Sequence, residues 1–343
     1  MKHFRDIQGN DAVVTALRQM VDGGKIPHAL LLHENDGGGA FPIVLAFLQY
    51  LYCRNRTAGD ACGDCPSCNR IAKLIHPDVH FVFPVAGSDK PVSGQFLPAF
   101  RELALQQPYF YENELFGSLG LDGKQVLISV NEARSLLDKL SLSAVEGGYR
   151  SVVMYLPEKM NQAAANSLLK MVEEPPENTL FLLITHEPEK VLSTIRSRCL
   201  PMRILPLSRT AEAAVHPSGT ADETLYLDLF ADLMEALLSR DLFTALETGE
   251  ALAGLESREK QKSFCKFAVE TVRGIFLQQQ GLGELSALSD EERAFVVRMA
   301  GRVRPTFARG AMHHFDRAML LLGRNVNQKI LFTDLVNRLY MIV

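Results

Sequence analysis

Four of the six cysteines lie in one short stretch of the chain, at Cys53, Cys62, Cys65 and Cys68. Gaps of two residues allow tight turns to present successive sulfurs to a single ion, and four thiolates suit tetrahedral Zn²⁺. Disulfide bonds are the alternative, but clustered thiols in a reducing compartment more often hold a metal. Four cysteines fill a tetrahedral site, so no carboxylate ligand and no open ligand position is implied, and the pattern predicts a structural zinc site.

A glycine-rich loop at residues 34–41 has the setting of a phosphate-binding site but lacks its residues. Such a loop joins a strand to a helix, whose N-terminal N–H groups attract phosphate, and Mg-ATP binding requires the pattern G-x-x-x-x-G-K-[ST]. Here the lysine position is alanine, the hydroxyl position is phenylalanine, and the carboxylates of Glu34 and Asp36 stand where a polyanion needs positive charge. We therefore predict a degenerate phosphate loop that binds no ATP, formed by Gly37, Gly38, Gly39, Ala40 and Phe41.

The acidic site that a phosphate-loop ATPase needs in addition to the loop is also missing. A hydrolysing enzyme ends a later strand with acidic residues that organise Mg²⁺ and the attacking water. The corresponding segment reads Tyr155-Leu156-Pro157-Glu158, so the strand itself ends without an acid. We interpret Glu158 as a solvated loop residue. The chain is predicted to be non-catalytic, with zinc as its only cofactor.

Strands and helices alternate over the first two hundred residues, which favours a parallel α/β sheet. Short apolar runs predict the strands, and apolar residues at helical spacing predict the helices. The predicted strands are 28–33, 80–85, 151–156 and 179–185, and the predicted helices are 11–22, 41 or 43 to 52, 131–140 and 161–172.

The remainder of the chain differs in character from this α/β part. Residues 84–124 are rich in Pro, Phe and Tyr and are interpreted as an irregular insertion with short helices. Residues 208–223 have the composition of a linker, and only helical periodicity continues beyond Leu225. The predicted organisation is an α/β domain at 1–205, a linker or vestigial lid at 206–224, and an all-helical domain at 225–343.

Composition describes an ordinary globular chain. The 343 residues carry 36 Lys+Arg against 40 Asp+Glu, a formal net charge of −4, which argues against a freestanding high-affinity DNA binder. No apolar run approaches the ~20 residues that span a bilayer, and the N-terminal residues lack a signal segment. We expect a soluble cytoplasmic protein with no membrane partner.

The isolated cysteines Cys199 and Cys265 are expected to be small buried apolar residues.

Several motifs together resemble one family. They comprise the segments 26–31, 140–150, 160–170, 172–179 and 194–199, together with the four clustered cysteines. In combination they are similar to the delta-prime subunits of the bacterial DNA polymerase III clamp loader, within the AAA+ family. The motifs cover about residues 1–205, and the helical last third matches in character. The resemblance implies an AAA+ sheet domain with a zinc module, followed by a helical collar domain with a reduced or absent lid.

The resemblance also implies a function and partners. Members of this family form a five-subunit ring that sets the sliding clamp on primed DNA, using ATP bound by the gamma/tau subunits. A delta-prime subunit is a ring scaffold beside gamma/tau and delta, within the DNA polymerase III holoenzyme, a nucleotidyltransferase complex. The family's Ser-Arg-Cys motif corresponds to Ser197, Arg198 and Cys199, on a segment expected to be extended. It implies that Arg198 acts in trans as an arginine finger at the neighbour's ATP site.

Two other functions remain open from the sequence. One is a gamma-type ATPase that binds its own nucleotide through a deviant loop. His186 stands where active relatives of the family carry a polar sensor residue, and we interpret it as a tolerated replacement rather than a catalytic base. The other is a zinc-dependent nucleic-acid-binding module, because the residues beside the cysteines are basic or polar. Those flanking residues are Arg54, Arg56, Asn69, Arg70 and Lys73.

Overall fold

The computed structural model describes residues 3–57, 59–87, 91–207, 215, 219–286, 288–324 and 326–343. The chain divides into two compact units, Met1–Leu207 and Ser208–Val343. Most of the predicted linker or lid lies outside the described residues, and a helix already begins at Gly219. None of the helices in the described ranges has the length and apolar character that crossing a membrane requires.

The first unit is built on a parallel sheet of five strands in the order β2-β3-β4-β1-β5. The strands are β1 (Ala29–His33), β2 (Val79–Val82), β3 (Arg150–Tyr155), β4 (Thr179–Thr185) and β5 (Leu200–Arg203). The central strands are buried along almost their whole length, as their unbroken apolar runs predict. The α/β prediction is confirmed, whereas β5 was not predicted.

Helices cover both faces of the sheet. They are α1 (Asp11–Asp22), α2 (Ala40–Tyr52), α3 (Pro66–Ala72), α4 (Leu97–Gln106), α5 (Glu112–Ser118), α6 (Val130–Ser141), α7 (Gln162–Glu173) and α8 (Ser193–Arg196). Alternate strand residues serve opposite cores: Leu30 and Leu32 pack in the core that contains α2, whereas Leu31 packs in the core that contains α6 and α7. Helix α4 and helix α5 lie within the predicted insertion.

The second unit is helical throughout its described residues, as predicted. Its helices are α9 (Gly219–Leu238), α10 (Leu242–Ala253), α11 (Arg258–Gln279), α12 (Asp290–Ala300), α13 (Pro305–Leu322) and α14 (Gln328–Ile342). Aromatic side chains at helical spacing form its core, with Phe230, Phe264 and Phe315 fully buried. Cys265 is buried in this core, and burial raises the pKa of its thiol to about 12.

One local prediction is wrong. The segment with the Ser-Arg-Cys motif is not extended, because Ser193–Arg196 form helix α8 and the chain turns before β5. Helix α3, which carries Cys68 and has Pro66 in its first turn, was not predicted. A proline at this position fits the helix start, where its missing N–H costs no hydrogen bond.

Candidate functional site

The loops at the carboxyl ends of β1 and β4 occupy the place where open α/β sheets bind ligands. In such sheets the ligand lies at the point where the chain switches direction across the sheet. Here β1 lies between β4 and β5, with the other strands beyond β4. The switch point is therefore next to the carboxyl end of β1. Glu34 directly follows β1, and His186 directly follows β4.

The carboxylate of Glu34 occupies the N-terminus of α2, the position that a phosphate takes in an ATP-binding relative of this fold. Its Oε2 accepts a hydrogen bond of 2.7 Å from the backbone N–H of Ala40, and Glu34 is 3% exposed. A Cβ at Gly38 would lie 2.5 Å from this oxygen, so glycine is what lets the side chain fold back. The positive end of α2 is thus satisfied by a carboxylate of the same chain.

Ala40 and Phe41 are buried in the hydrophobic core. Ala40 is fully buried and Phe41 is 2% exposed. The Phe41 ring packs against Phe100 and Phe110, with centroids 5.7 and 5.2 Å away. The positions that would supply a lysine and a hydroxyl to Mg-ATP therefore serve the fold.

His186 is the cation of a cluster of acidic side chains around this loop. Its Nε2 lies 3.8 Å from Glu34, and its Nδ1 lies 3.7 Å from both Asp36 and Glu112. Burial disfavours the imidazolium, but Glu112, Glu34 and Asp36 outweigh that effect and raise the pKa of His186 to about 10. Sequence reasoning missed this role, although two carboxylates so close together in one loop signal the need for a cation.

Two further contacts tie this cluster to the sheet. The interpretation of Glu158 as a solvated loop residue is wrong. Its carboxylate accepts hydrogen bonds from the Thr185 hydroxyl at 2.7 Å and from the His186 N–H at 3.0 Å. The Tyr155 hydroxyl lies 3.2 Å from Nε2 of His186. The ends of β3 and β4 are therefore joined by side chains where an ATPase would place Mg²⁺ and water.

The four predicted cysteines converge. Their sulfurs all lie within 4.8 Å of one another, with Cys53 to Cys62 at 3.5 Å and Cys62 to Cys68 at 4.0 Å. Four sulfurs bound at ~2.3 Å to a tetrahedral zinc are separated by about 3.8 Å, so the donor set fits such an ion. Burial would raise the pKa of the Cys65 thiol, but hydrogen bonds from the backbone of Cys68 and Arg54 lower it to about 7. The cluster can bind a metal ion.

The basic residues beside the cysteines are largely engaged within the chain. Arg70 and Arg54 both pair with Glu146, which also accepts a hydrogen bond from Ser67 at 3.0 Å. The guanidinium of Arg56 lies over the ring of Tyr50 at 5.3 Å. Glu146 thus offsets part of the positive charge that the nucleic-acid-binding hypothesis depends on, and Arg54 remains largely exposed.

Arg198 lies at the surface, next to a buried neighbour that fixes its position. Cys199 is 7% exposed and its Sγ donates to the Ile195 carbonyl; burial raises the pKa of its thiol to about 11. Arg198 Nη1 donates to the Thr194 carbonyl at 2.7 Å, and Nη2 pairs with Glu173 at 2.5 Å. Its side chain remains 36% exposed. The guanidinium is thus oriented by its own chain while open to solvent.

Ser197 is exposed and completes this motif. Its hydroxyl donates to the Thr194 carbonyl at 3.2 Å and lies 3.3 Å from Nη1 of Arg198. Arg196 points elsewhere, because it donates to the Pro188 carbonyl and pairs with Glu189. The two guanidinium groups therefore have different partners within the chain, and both remain partly exposed, Arg196 at 38% and Arg198 at 36%.

The family described as "DNA polymerase III, delta subunit" matches residues 9–208, more than half of the chain. The chain belongs to this family. A DNA polymerase III subunit delta' from Yersinia pestis is 34% identical over 176 residues, covering 51% of this chain and 41% of the relative. The delta' subunit of Bacillus subtilis is 29% identical over 250 residues, covering 72% of this chain and 61% of the relative.

The match extends to a second kind of polymerase III subunit. A subunit gamma/tau from Mycobacterium bovis is 29% identical over 205 residues, covering 59% of this chain and 29% of the relative. The chain spans about two fifths of the length of the first curated relatives that it matches. The residues that match the family model, 9–208, correspond to the α/β unit, which carries the loop, the cysteines and Arg198.

Proposed function

We propose that this chain is the non-hydrolysing delta-prime subunit of a DNA polymerase III clamp loader. It is a scaffold of the loader ring and helps to set the sliding clamp on primed DNA during replication, in the cytoplasm. Its direct partners are the gamma/tau and delta subunits, and it reaches the clamp and DNA through the assembled loader. Family membership of the α/β unit supports this assignment.

The observation that carries the non-hydrolysing role is the Glu34 carboxylate at the N-terminus of α2. A nucleotide phosphate needs the same backbone N–H groups, and Asp36 adds further negative charge beside them. Ala40 and Phe41 are core residues, which also argues against a gamma-type ATPase. The ATP used by the loader is therefore bound by other subunits.

The cysteine cluster is proposed to hold one structural Zn²⁺ through Cys53, Cys62, Cys65 and Cys68. All four ligand positions are filled by sulfur, so no open position remains for a substrate or a catalytic water. The ion would fix α3 against the end of α2, since Cys53 directly follows α2 and Cys68 lies on α3.

Arg198 is proposed to act as an arginine finger toward the ATP held by the neighbouring subunit. Its guanidinium is exposed, always charged and planar, which suits a γ-phosphate. Fingers supplied in trans are worth 10³ to 10⁵ in rate at a single site. To act in this way, Arg198 exchanges its pairing with Glu173 for the phosphate.

The test is Arg198→Ala in a loader reconstituted with gamma/tau and delta. We expect ring assembly to persist and the clamp- and DNA-stimulated ATPase to fall partially, because the other ATP sites keep their own fingers. Clamp loading should fall further than ATP hydrolysis. Arg198→Lys should not restore activity, because an ammonium lacks the planar fork.

Arg196→Ala is the matched control, because Arg196 lies two residues from Arg198 and has different partners, the Pro188 carbonyl and Glu189. It should leave the loader's ATPase close to that of the wild type. Normal clamp loading by the Arg198→Ala loader would disprove the finger assignment. Failure of the wild-type chain to assemble with gamma/tau and delta would disprove the loader function itself.

A further inference from the structure

Residues 109–112, within the insertion between β2 and α6, lie directly on the degenerate phosphate loop. Each of the four residues makes a separate contact there. Tyr109 is 2% exposed, and its ring lies 3.5 Å from where a Cβ on Gly39 would be. The Tyr111 ring packs so closely on Gly37 that a Cβ at this position would overlap it.

Phe110 fills the space between α2 and the sheet. It is 3% exposed, and its ring centroid lies 5.2 Å from Phe41 and 5.3 Å from Tyr155. Phe41 stands at the hydroxyl position of the phosphate-loop pattern, and Tyr155 ends β3. One aromatic side chain thus contacts both elements that hold Mg-ATP in a hydrolysing relative.

Glu112 adds a polar connection to the same loop. Its backbone N–H, the first of helix α5, donates to Asp36 Oδ1 at 2.8 Å. Its carboxylate pairs with Lys159 at 2.7 Å and lies 3.7 Å from Nδ1 of His186. Burial alone would raise the pKa of Glu112, but the cations His186 and Lys159 lower it.

We infer that residues 109–112, hereafter the plug, act together with Glu34 as a built-in occupant of the nucleotide position. Glu34 supplies the anion at the N-terminus of α2, and the plug supplies the apolar and charged contacts that hold the loop against β3 and β4. The plug fixes α2 and the ends of β1 and β4 in one arrangement that needs no ligand. This inference concerns the isolated chain and goes beyond its assignment to a loader.

Hydrogen exchange of the full-length chain, read by mass spectrometry, tests the plug. In Glu112→Gln we expect the backbone amides of 34–43 and 185–187 to exchange about tenfold faster than in the wild type, because local opening of these segments becomes easier. Tyr111→Ala, which removes the ring over Gly37, should have the same effect. The rest of the sheet should exchange at the wild-type rate.

Glu102→Gln is the matched control, because Glu102 is exposed on α4 of the same insertion. It should leave every segment unchanged. The inference is overturned if Glu112→Gln and Tyr111→Ala do not accelerate exchange in these segments, or accelerate it equally throughout the first unit. It is also overturned if inorganic pyrophosphate slows exchange of 34–43 in the wild type, since the position would then be open.

Discussion

His186 has the electrostatic role that lysine and Mg²⁺ have in an ATP-bound site. Its imidazole is 9% exposed and faces the acidic groups Glu34, Asp36 and Glu112, with Lys159 as the other cation of the cluster. An ATP-bound site balances phosphate charge with lysine and Mg²⁺. Here the carboxylates take the place of phosphate, and His186 takes the place of the cations.

This charge gives the protein a predicted pH dependence. The folded pKa of His186 is about 10, above its value of ~6.5 in an unfolded chain. The folded state therefore keeps a proton that the unfolded state releases, so this stabilisation is complete below about pH 6.5 and is lost as the pH rises toward 10. Between about pH 7 and pH 9 we expect the wild type to lose about 2 kcal/mol more unfolding free energy than His186→Gln. Urea titrations at each pH measure this; parallel curves for the two proteins would contradict it.

Arg198 contrasts with His186 because its ion pair is at the surface. Exposed pairs such as Arg198 with Glu173 contribute about 0 to 1 kcal/mol. We expect Arg198→Ala to reduce the free energy of unfolding by less than about 1 kcal/mol. Chemical denaturation of the isolated chain checks this. A larger loss would mean that the side chain is structural, and any effect on the loader would then have a simpler cause.

The elements that follow from local patterns could be predicted from the sequence. Apolar runs gave β1, β3 and β4, and the cysteine spacing indicated four converging sulfurs. Helix α3 was missed because seven residues starting at a proline show too little periodicity. The ion cluster was missed because Glu112 and His186 lie far from Glu34 in the sequence, and only the fold brings them together.

The degenerate phosphate loop leads to a prediction about repair. Ala40→Lys should not create ATP binding, because the Glu34 carboxylate still occupies the N-terminus of α2 and no hydroxyl stands at Phe41. We expect isothermal titration calorimetry to detect no stoichiometric binding at micromolar ATP in either the wild type or Ala40→Lys. Stoichiometric binding by the wild type would contradict the prediction that the degenerate loop binds no ATP; binding by Ala40→Lys alone would show that Glu34 yields its position.

At the scale of the whole molecule, the two units have separate cores and only the first contains the cysteine cluster. We expect elemental analysis to find one zinc per chain in freshly reduced protein. A chelator should lower the midpoint of one calorimetric unfolding transition, that of the first unit, because metal binding is coupled to folding. Cys68→Ser should lower the same transition, whereas Cys265→Ser should lower the other. Protein without metal would contradict the zinc assignment.

The glycines of the loop carry a consequence for how mutational data on this chain should be interpreted. Gly37 has φ +76° and lies under Tyr111, and Gly38 lies under Glu34, so any side chain at either position displaces a neighbour. Gly39 has an ordinary φ and tolerates a Cβ, whose nearest neighbour would be 3.5 Å away. A saturation scan would therefore report intolerance at two glycines whose close neighbours are side chains of the same chain. Sensitivity to substitution here measures how the chain packs on itself.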